Sequence, residues 1–232
     1  MITISFILLL LISSLFVDPK RDYQKNSKYY RWLLHTATNA VLKVLGVHIH
    51  VSGMEKVPKD TRFLLVSNHR SNYDPIVTWH VFRDYDLSFV SKPENFKIPM
   101  FGRIIRKCCF LPIDRENPKN AIVTINKAAE LIKADTVSVG IYPEGTRSRE
   151  ENMLPFHNGV FKIAQKADVP IVVITVTGTD RICKRIFRGT DVRVNILDVI
   201  PAEKVKAMKT AEIGELARLM MNHNLWRITN AI

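Results

Sequence analysis

The chain has 232 residues, enough for one sizeable α/β domain with an appendage and too few for two full domains. It is 47% hydrophobic and 24% charged with only 9 glycines, which excludes collagen-like, low-complexity and largely disordered chains. Lys and Arg number 34 against 22 acids, and a net charge of +12 points to an anionic partner such as nucleic acid, acidic lipid headgroups or a phosphorylated substrate. Cys108, Cys109 and Cys183 lack any CxxC spacing and cannot all pair, so neither a disulfide framework nor a zinc site is expected and a reducing compartment fits best.

Residues 2–17 carry no charge. As a helix they would measure about 24 Å, short of a hydrocarbon core of about 30 Å. A cleaved signal peptide would need a basic start and a small-residue cleavage site, and both are missing. A spanning anchor and a re-entrant or interfacial helix both remain open. The next stretch sets Lys20, Arg21, Lys25, Lys28 and Arg31 against Asp18 and Asp22, which by the positive-inside tendency puts the rest of the chain on the cytoplasmic face of a membrane. A second helix is predicted over 28–45, where Leu33, Ala37, Val41 and Val44 recur at helical spacing behind Tyr29, Tyr30 and Trp32, and Gly46 is a reasonable stop. Those aromatic rings suit a membrane interface, and the same pattern suits a helix packed on the domain core. The expected organisation is a hydrophobic and amphipathic two-helix segment, 1–46, followed by one domain, 47–232.

Past residue 46, strands are predicted at 47–52, 62–67, 87–91, 109–113, 137–142, 170–176 and 190–199, and helices at 75–83, 97–107, 118–133, 157–167 and 203–222. Short β runs interleaved with helices of this length argue for an α/β sandwich around a largely parallel sheet, with sites where strands end. The basic run Arg103-Ile104-Ile105-Arg106-Lys107 suits either a surface resting on anionic lipid or a solvated face.

Two polar clusters follow buried-looking runs. Phe63–Ser67 breaks into Asn68-His69-Arg70-Ser71-Asn72-Tyr73-Asp74-Pro75. Asp74 before Pro75 reads as a helix N-cap, and it also stands five residues after His69, where a carboxylate can accept the imidazole N–H and leave the other nitrogen free to take a proton. Val137–Ile141 leads into Tyr142-Pro143-Glu144-Gly145-Thr146-Arg147-Ser148, where Gly145 allows a tight turn and Arg147 can grip a phosphate; a charged surface turn is the plainer reading. A third cluster, Pro112-Ile113-Asp114-Arg115, sets an arginine at another strand end.

In this order the clusters resemble the glycerolipid acyltransferase family that acylates lysophosphatidic acid and related lysolipids. Asn68–Asp74 is similar to its NHxxxxD block, with HX4D spacing, and Pro112–Arg115 to its Ile-Asp-Arg block. Glu144–Ser148 resembles its EGTRS block, Val169–Val172 its closing VPIV block, and Lys92-Pro93-Glu94 its lysine-bearing stretch. The resemblance covers about 47–200. It implies a glycerolipid-acyltransferase-like αβ sandwich and an acyltransferase moving a fatty acyl group from acyl-CoA or acyl carrier protein to the sn-2 hydroxyl of 1-acylglycerol 3-phosphate, giving phosphatidic acid. It implies His69 as general base oriented by Asp74, and Lys92, Arg115, Glu144, Gly145, Thr146 and Arg147 on the phosphate side. Membrane lipids are an implied partner; no cofactor beyond the acyl donor and no metal is expected. Two departures stand out: Phe156-His157-Asn158 precedes Gly159 where relatives carry a lysine, and Val172-Val173 continues where a second proline is frequent. Glycerol 3-phosphate or another lysophospholipid is the alternative acceptor. A nucleic-acid binder would need a recognition helix or an aromatic-studded sheet motif, and none is evident. A hydrolase using Ser67 or Ser71 lacks a G-x-S-x-G elbow, and a non-catalytic interaction protein leaves His69 and Asp74 without a use.

Overall fold

The computed structural model describes residues 2–114, 116–148, 152–186 and 188–230. The chain opens with α1 (Ile2–Leu15), α2 (Lys28–Val44) and β1 (Val47–Ser52), then β2 (Leu64–Ser67), α3 (Asp74–Val81) and β3 (Leu87–Ser91). It continues through α4 (Phe101–Lys107), β4 (Leu111–Pro112), α5 (Pro118–Lys133), β5 (Ser138–Ile141) and α6 (Lys162–Ala167). It closes with β6 (Ile171–Thr177), β7 (Thr190–Ile200), α7 (Ala202–Ala207) and α8 (Thr210–Asn230).

The seven strands form one sheet in the order β1-β7-β6-β2-β5-β3-β4. Pairing is parallel throughout except between β6 and β7, so the sheet is largely parallel as expected. The central strands β2 and β5 are buried at every residue, which is why they read as unbroken apolar runs. Side chains along β2 alternate between the two faces. Leu64 and Val66 pack with Ile125, Ala128, Ile163 and Ile213 from α5, α6 and α8. Leu65 packs with Leu33, Val77, Trp79 and Ile105 from α2, α3 and α4. Both faces of the sheet are thus covered by helices, and the polar ends of the strands are left for chemistry.

Several elements depart from their predicted bounds for local reasons. The 109–113 strand shrinks to two residues, since Cys109 has a positive φ of 60° and Pro112 has no N–H for the ladder. The 97–107 helix starts only at Phe101, behind a 3-10 turn over Pro93–Lys97. The predicted 203–222 helix is two helices: Met208 is extended, Gln165 Nε2 donates to the Val205 and Met208 carbonyls, and Lys209 N donates to Glu212 Oε2 at 2.7 Å to start α8.

Among the described residues, no helix is long and apolar enough to cross a membrane. Helix α1 has 14 residues, about 21 Å at 1.5 Å per residue. Its Leu10 is buried, while Ile4, Ile7, Leu8, Leu11, Ile12 and Leu15 are exposed, as is Phe16 just after it, at 78%. Tyr30 Oη donates to the Ser13 carbonyl at 2.9 Å, and Phe6 stands edge-on to Trp32. The cations of the basic run 103–107 are engaged within the chain: Arg103 donates to the Ser14 carbonyl, Arg106 covers Phe96 and pairs with Asp22, and Lys107 lies over Tyr23. These cations fasten the N-terminal segment to α4. Arg31 is likewise interior, donating to the Leu87 carbonyl at 2.8 Å and pairing with Asp86. His35 stacks on Trp79, and burial pushes its imidazole down to about 4, a structural rather than a liganding position.

Candidate active site

The site forms where β2 runs out. Asn68, fully buried, donates through Nδ2 to the Val176 carbonyl at 3.0 Å and accepts from Val176 N at 2.8 Å, so it behaves as an extra rung on β6. His69 follows, and its main chain is gripped from the other side. Its N–H donates to Glu144 Oε1 at 2.6 Å and its carbonyl accepts from Ser148 N at 2.8 Å. The loop is thereby stapled between β6 and the turn after β5, which holds the imidazole over the sheet edge.

Asp74 lies at the start of α3 but does not cap it. Tyr73 occupies the N-cap position without a side-chain bond, and the Asp74 carboxylate turns back into the loop, correcting the cap reading. Oδ2 accepts from His69 Nδ1 at 2.9 Å and from the N–H groups of Arg70 and Ser71 at 2.7 Å each. Oδ1 accepts from Thr179 Oγ1. The Asp74 side chain is 0% exposed and that of His69 14%. With Nδ1 donating to the carboxylate, Nε2 is the nitrogen that keeps a lone pair for a proton. Tyr142 stacks under the imidazole at 4.4 Å between centroids, 27° from parallel. Burial first, and then the Asp74 charge, hold the Tyr142 phenol well above its ordinary range, so it offers the ring a neutral aromatic face.

His69 opens onto a cleft of about 410 Å³, within the range of small-molecule sites. Its lining combines polar side chains, Asn72, Lys92 and Arg147, with apolar ones, Ile76, Phe89, Val90, Ile98, Phe101 and Phe110. A larger cleft, about 740 Å³, lies at the opposite ends of β2, β3 and β5 around Arg62, Asp86 and Asp135, away from the strand ends that host chemistry in α/β sheets.

The structure therefore brings His69, Asp74, Lys92 and Arg147 to one place, while Glu144, Gly145 and Thr146 stand off the cleft lining. Glu144 is 2% exposed, with Oε1 on His69 N and Oε2 accepting from Leu154 N at 2.8 Å, and it does not line the cleft. Burial raises its carboxyl, while those two N–H groups pull it down. Gly145 adopts φ +73°, which lets the turn reverse directly behind Tyr142, and Thr146 is exposed; neither lines the cleft. Arg115 lies outside the described residues. The hydroxyls of Ser67 and Ser71 donate to the carbonyls of Asn68 and Thr179, so neither serine is paired with His69 as a hydrolase would need. Among the described residues no cluster of three or more His, Cys, Asp or Glu is placed to hold a metal. The sequence gives Tyr142 only a place at the head of the second polar cluster and does not single out Thr179, whose one local signal is the polar Gly178-Thr179 break after the apolar β6 run.

The helix-covered, largely parallel sheet is a fold shared with a known structure. The 1-acyl-sn-glycerophosphate (LPA) acyltransferase PlsC of Thermotoga maritima superposes with a TM-score of 0.71 at 22% identity, over 95% of this chain and 87% of that one. The Acyltransferase family model matches residues 48–177, more than half of the chain, and the chain belongs to that family. Relatives named 1-acyl-sn-glycerol-3-phosphate acyltransferase include a chloroplastic protein of Brassica napus, 33% identical over 73% of this chain and 50% of its own length. The protein of that name from Saccharomyces cerevisiae is 29% identical over 85% of this chain and 67% of its own length. The chain thus spans about half the length of the plant relative it matches.

Proposed function

We propose that this chain is an acyltransferase that esterifies the sn-2 hydroxyl of 1-acylglycerol 3-phosphate, giving phosphatidic acid. His69 Nε2 takes the hydroxyl proton, the oxygen attacks the thioester carbonyl of acyl-CoA or acyl carrier protein, and the C–S bond breaks. The imidazolium returns its proton to the thiolate. The observation that carries this reading is the cleft itself: a carboxylate-oriented histidine in a lining that also holds two cations and a set of apolar side chains. A lysophospholipid has the matching combination, a phosphate, a hydroxyl a few bonds away and an acyl chain. Holding both substrates there makes the transfer effectively unimolecular and removes the need for an acyl-enzyme. The relatives' names support the acceptor. In this reading Lys92, Arg147 and Arg115 serve the phosphate, Gly145 and Thr146 shape the turn that presents Arg147, and Glu144 braces the His69 loop from below. No cofactor and no nucleic acid enters.

Separate assays with lysophosphatidic acid, glycerol 3-phosphate and lysophosphatidylcholine test the acceptor; preference for either of the last two would overturn it. Arg147→Ala should raise the KM for the acceptor by about 10–100-fold with kcat little changed, the worth of one hydrogen bond to a charged group. An unchanged response to acceptor concentration would remove Arg147 from the phosphate.

The same reading seats the chain on the cytoplasmic face of a membrane, with residues 1–46 as the lipid-facing part and 47–232 as the catalytic part. Its support is the row of exposed apolar side chains on α1 together with Trp32, 52% exposed, and Tyr29 beside it. The paired changes Leu8→Glu and Leu11→Glu lie on exposed positions and leave the core alone. They should lower binding to anionic vesicles about 100-fold in flotation, given the cost of a charge in lipid. Retained binding would show that α1 is not the seat.

A further inference from the structure

Among the described residues, Asp74 Oδ2 has three donors, whereas Oδ1, at the far side of the same wholly buried carboxylate, meets one hydroxyl, that of Thr179. Thr179 is 1% exposed and 105 residues away in sequence. It reaches Asp74 because Gly178, at φ +89°, turns the chain sharply after β6; a Cβ there would collide with the Asp191 carbonyl. The Thr179 main chain has a separate task, its carbonyl accepting from Ser71 Oγ at 3.1 Å. The side chain can therefore be changed while that tie between the two loops stays.

We propose that Thr179 is a positioning residue for the acyl transfer set out above: its hydroxyl pins Oδ1, which stops the carboxylate rotating about its Cβ–Cγ axis and keeps Oδ2 in line with His69 Nδ1. A carboxylate held at one oxygen only can swing, and His69 would then lose its partner for part of the time. The hydroxyl also solvates the buried anion. Without it the His69–Asp74 pair takes up a proton more readily, since the ionised form has lost a donor. Among the described residues, the ionisable groups on the elements around the pair are Arg70 and Tyr73 in its own loop, Cys183 in the turn that carries Thr179, Tyr142, Glu144 and Arg147 in the turn after β5, and Lys92 at the end of β3. All of these are present in every variant below.

The test compares wild type with Thr179→Val and Thr179→Ser, with His69→Ala and Asp74→Asn as references. In Thr179→Val, kcat should fall about tenfold at neutral pH with the acceptor KM within twofold, and the acid limb of the rate profile should move up by about one pH unit. Thr179→Ser should restore both. A second readout is free of activity: the low-field proton resonance of His69 Nδ1–H, assigned by its loss in His69→Ala, should broaden in Thr179→Val and shift toward its position in Asp74→Asn. If Thr179→Val does not fold, Thr179→Ala carries the same expectations. A merely structural threonine would lower the melting temperature and leave the acid limb and the resonance alone, and that outcome overturns the inference. A wild-type chain inactive toward every acceptor would defeat the acyl-transfer reading, while the resonance would still decide on Thr179.

Discussion

Replacing His69 by alanine should lower turnover by about 10²–10⁴-fold, the usual contribution of a positioned general base, with affinity for the acceptor nearly kept. The imidazole is placed by its surroundings more than by its own contacts with solvent. Its Nδ1 is committed to Asp74, its ring rests on Tyr142 and its main chain is tied to Glu144 and Ser148. Alanine keeps those main-chain ties, so the loop should stand and the loss should fall on kcat. Purified protein assayed at saturating acceptor separates the two. Turnover within a few-fold of wild type would remove His69 from the chemistry, and a purely KM effect would make it a binding residue.

Asp74→Asn should come close behind, at about 10²-fold or more. The amide is nearly isosteric, and the N–H groups of Arg70 and Ser71 direct its oxygen into the place of Oδ2. What goes is the negative charge that steadies the imidazolium as it forms. Any population with the amide reversed presents an N–H to Nδ1, forces the proton onto Nε2 and leaves no base. In serine-protease triads the same exchange drops kcat about 10⁴-fold by that route. Thermal unfolding should change little for Asp74→Asn. Asp74→Ala, by contrast, leaves buried donors without an acceptor, each costing about 1–3 kcal/mol. The double variant with His69→Ala should be no slower than His69→Ala alone, because both side chains act in one step. Additive losses would assign them separate roles.

The parts of this account that could be read from the sequence are those written locally. Strand β2 is buried on both faces, so Phe63–Ser67 announces itself as a continuous apolar run, and the polar octet after it marks a strand end. Helix α5 matches its predicted bounds, 118–133, because Asn117 and Pro118 start it and its apolar face is periodic. The antiparallel turn of β7 was not legible, since pairing to β6 is decided by partners far along the chain. Nor was the break between α7 and α8, where no Gly or Pro stands and the interruption is held by Gln165, some 40 residues away. The same distinction runs through the site. His69 and Asp74 share one loop and could be paired by spacing. Glu144 looked like a surface charge because its burial depends on N–H groups of His69 and Leu154 that folding brings to it. Thr179 had no local mark beyond a glycine before it.

The most direct test of the central claim is one assay. Purified wild-type protein in detergent is given labelled acyl-CoA and 1-acylglycerol 3-phosphate, beside His69→Ala at equal concentration, and the labelled lipid is identified. The account predicts labelled phosphatidic acid from the wild type, acylated at the sn-2 position, and at least a hundredfold less from the variant. Equal product from both, or no product from folded wild type with either acyl-CoA or acyl carrier protein as donor, would contradict it.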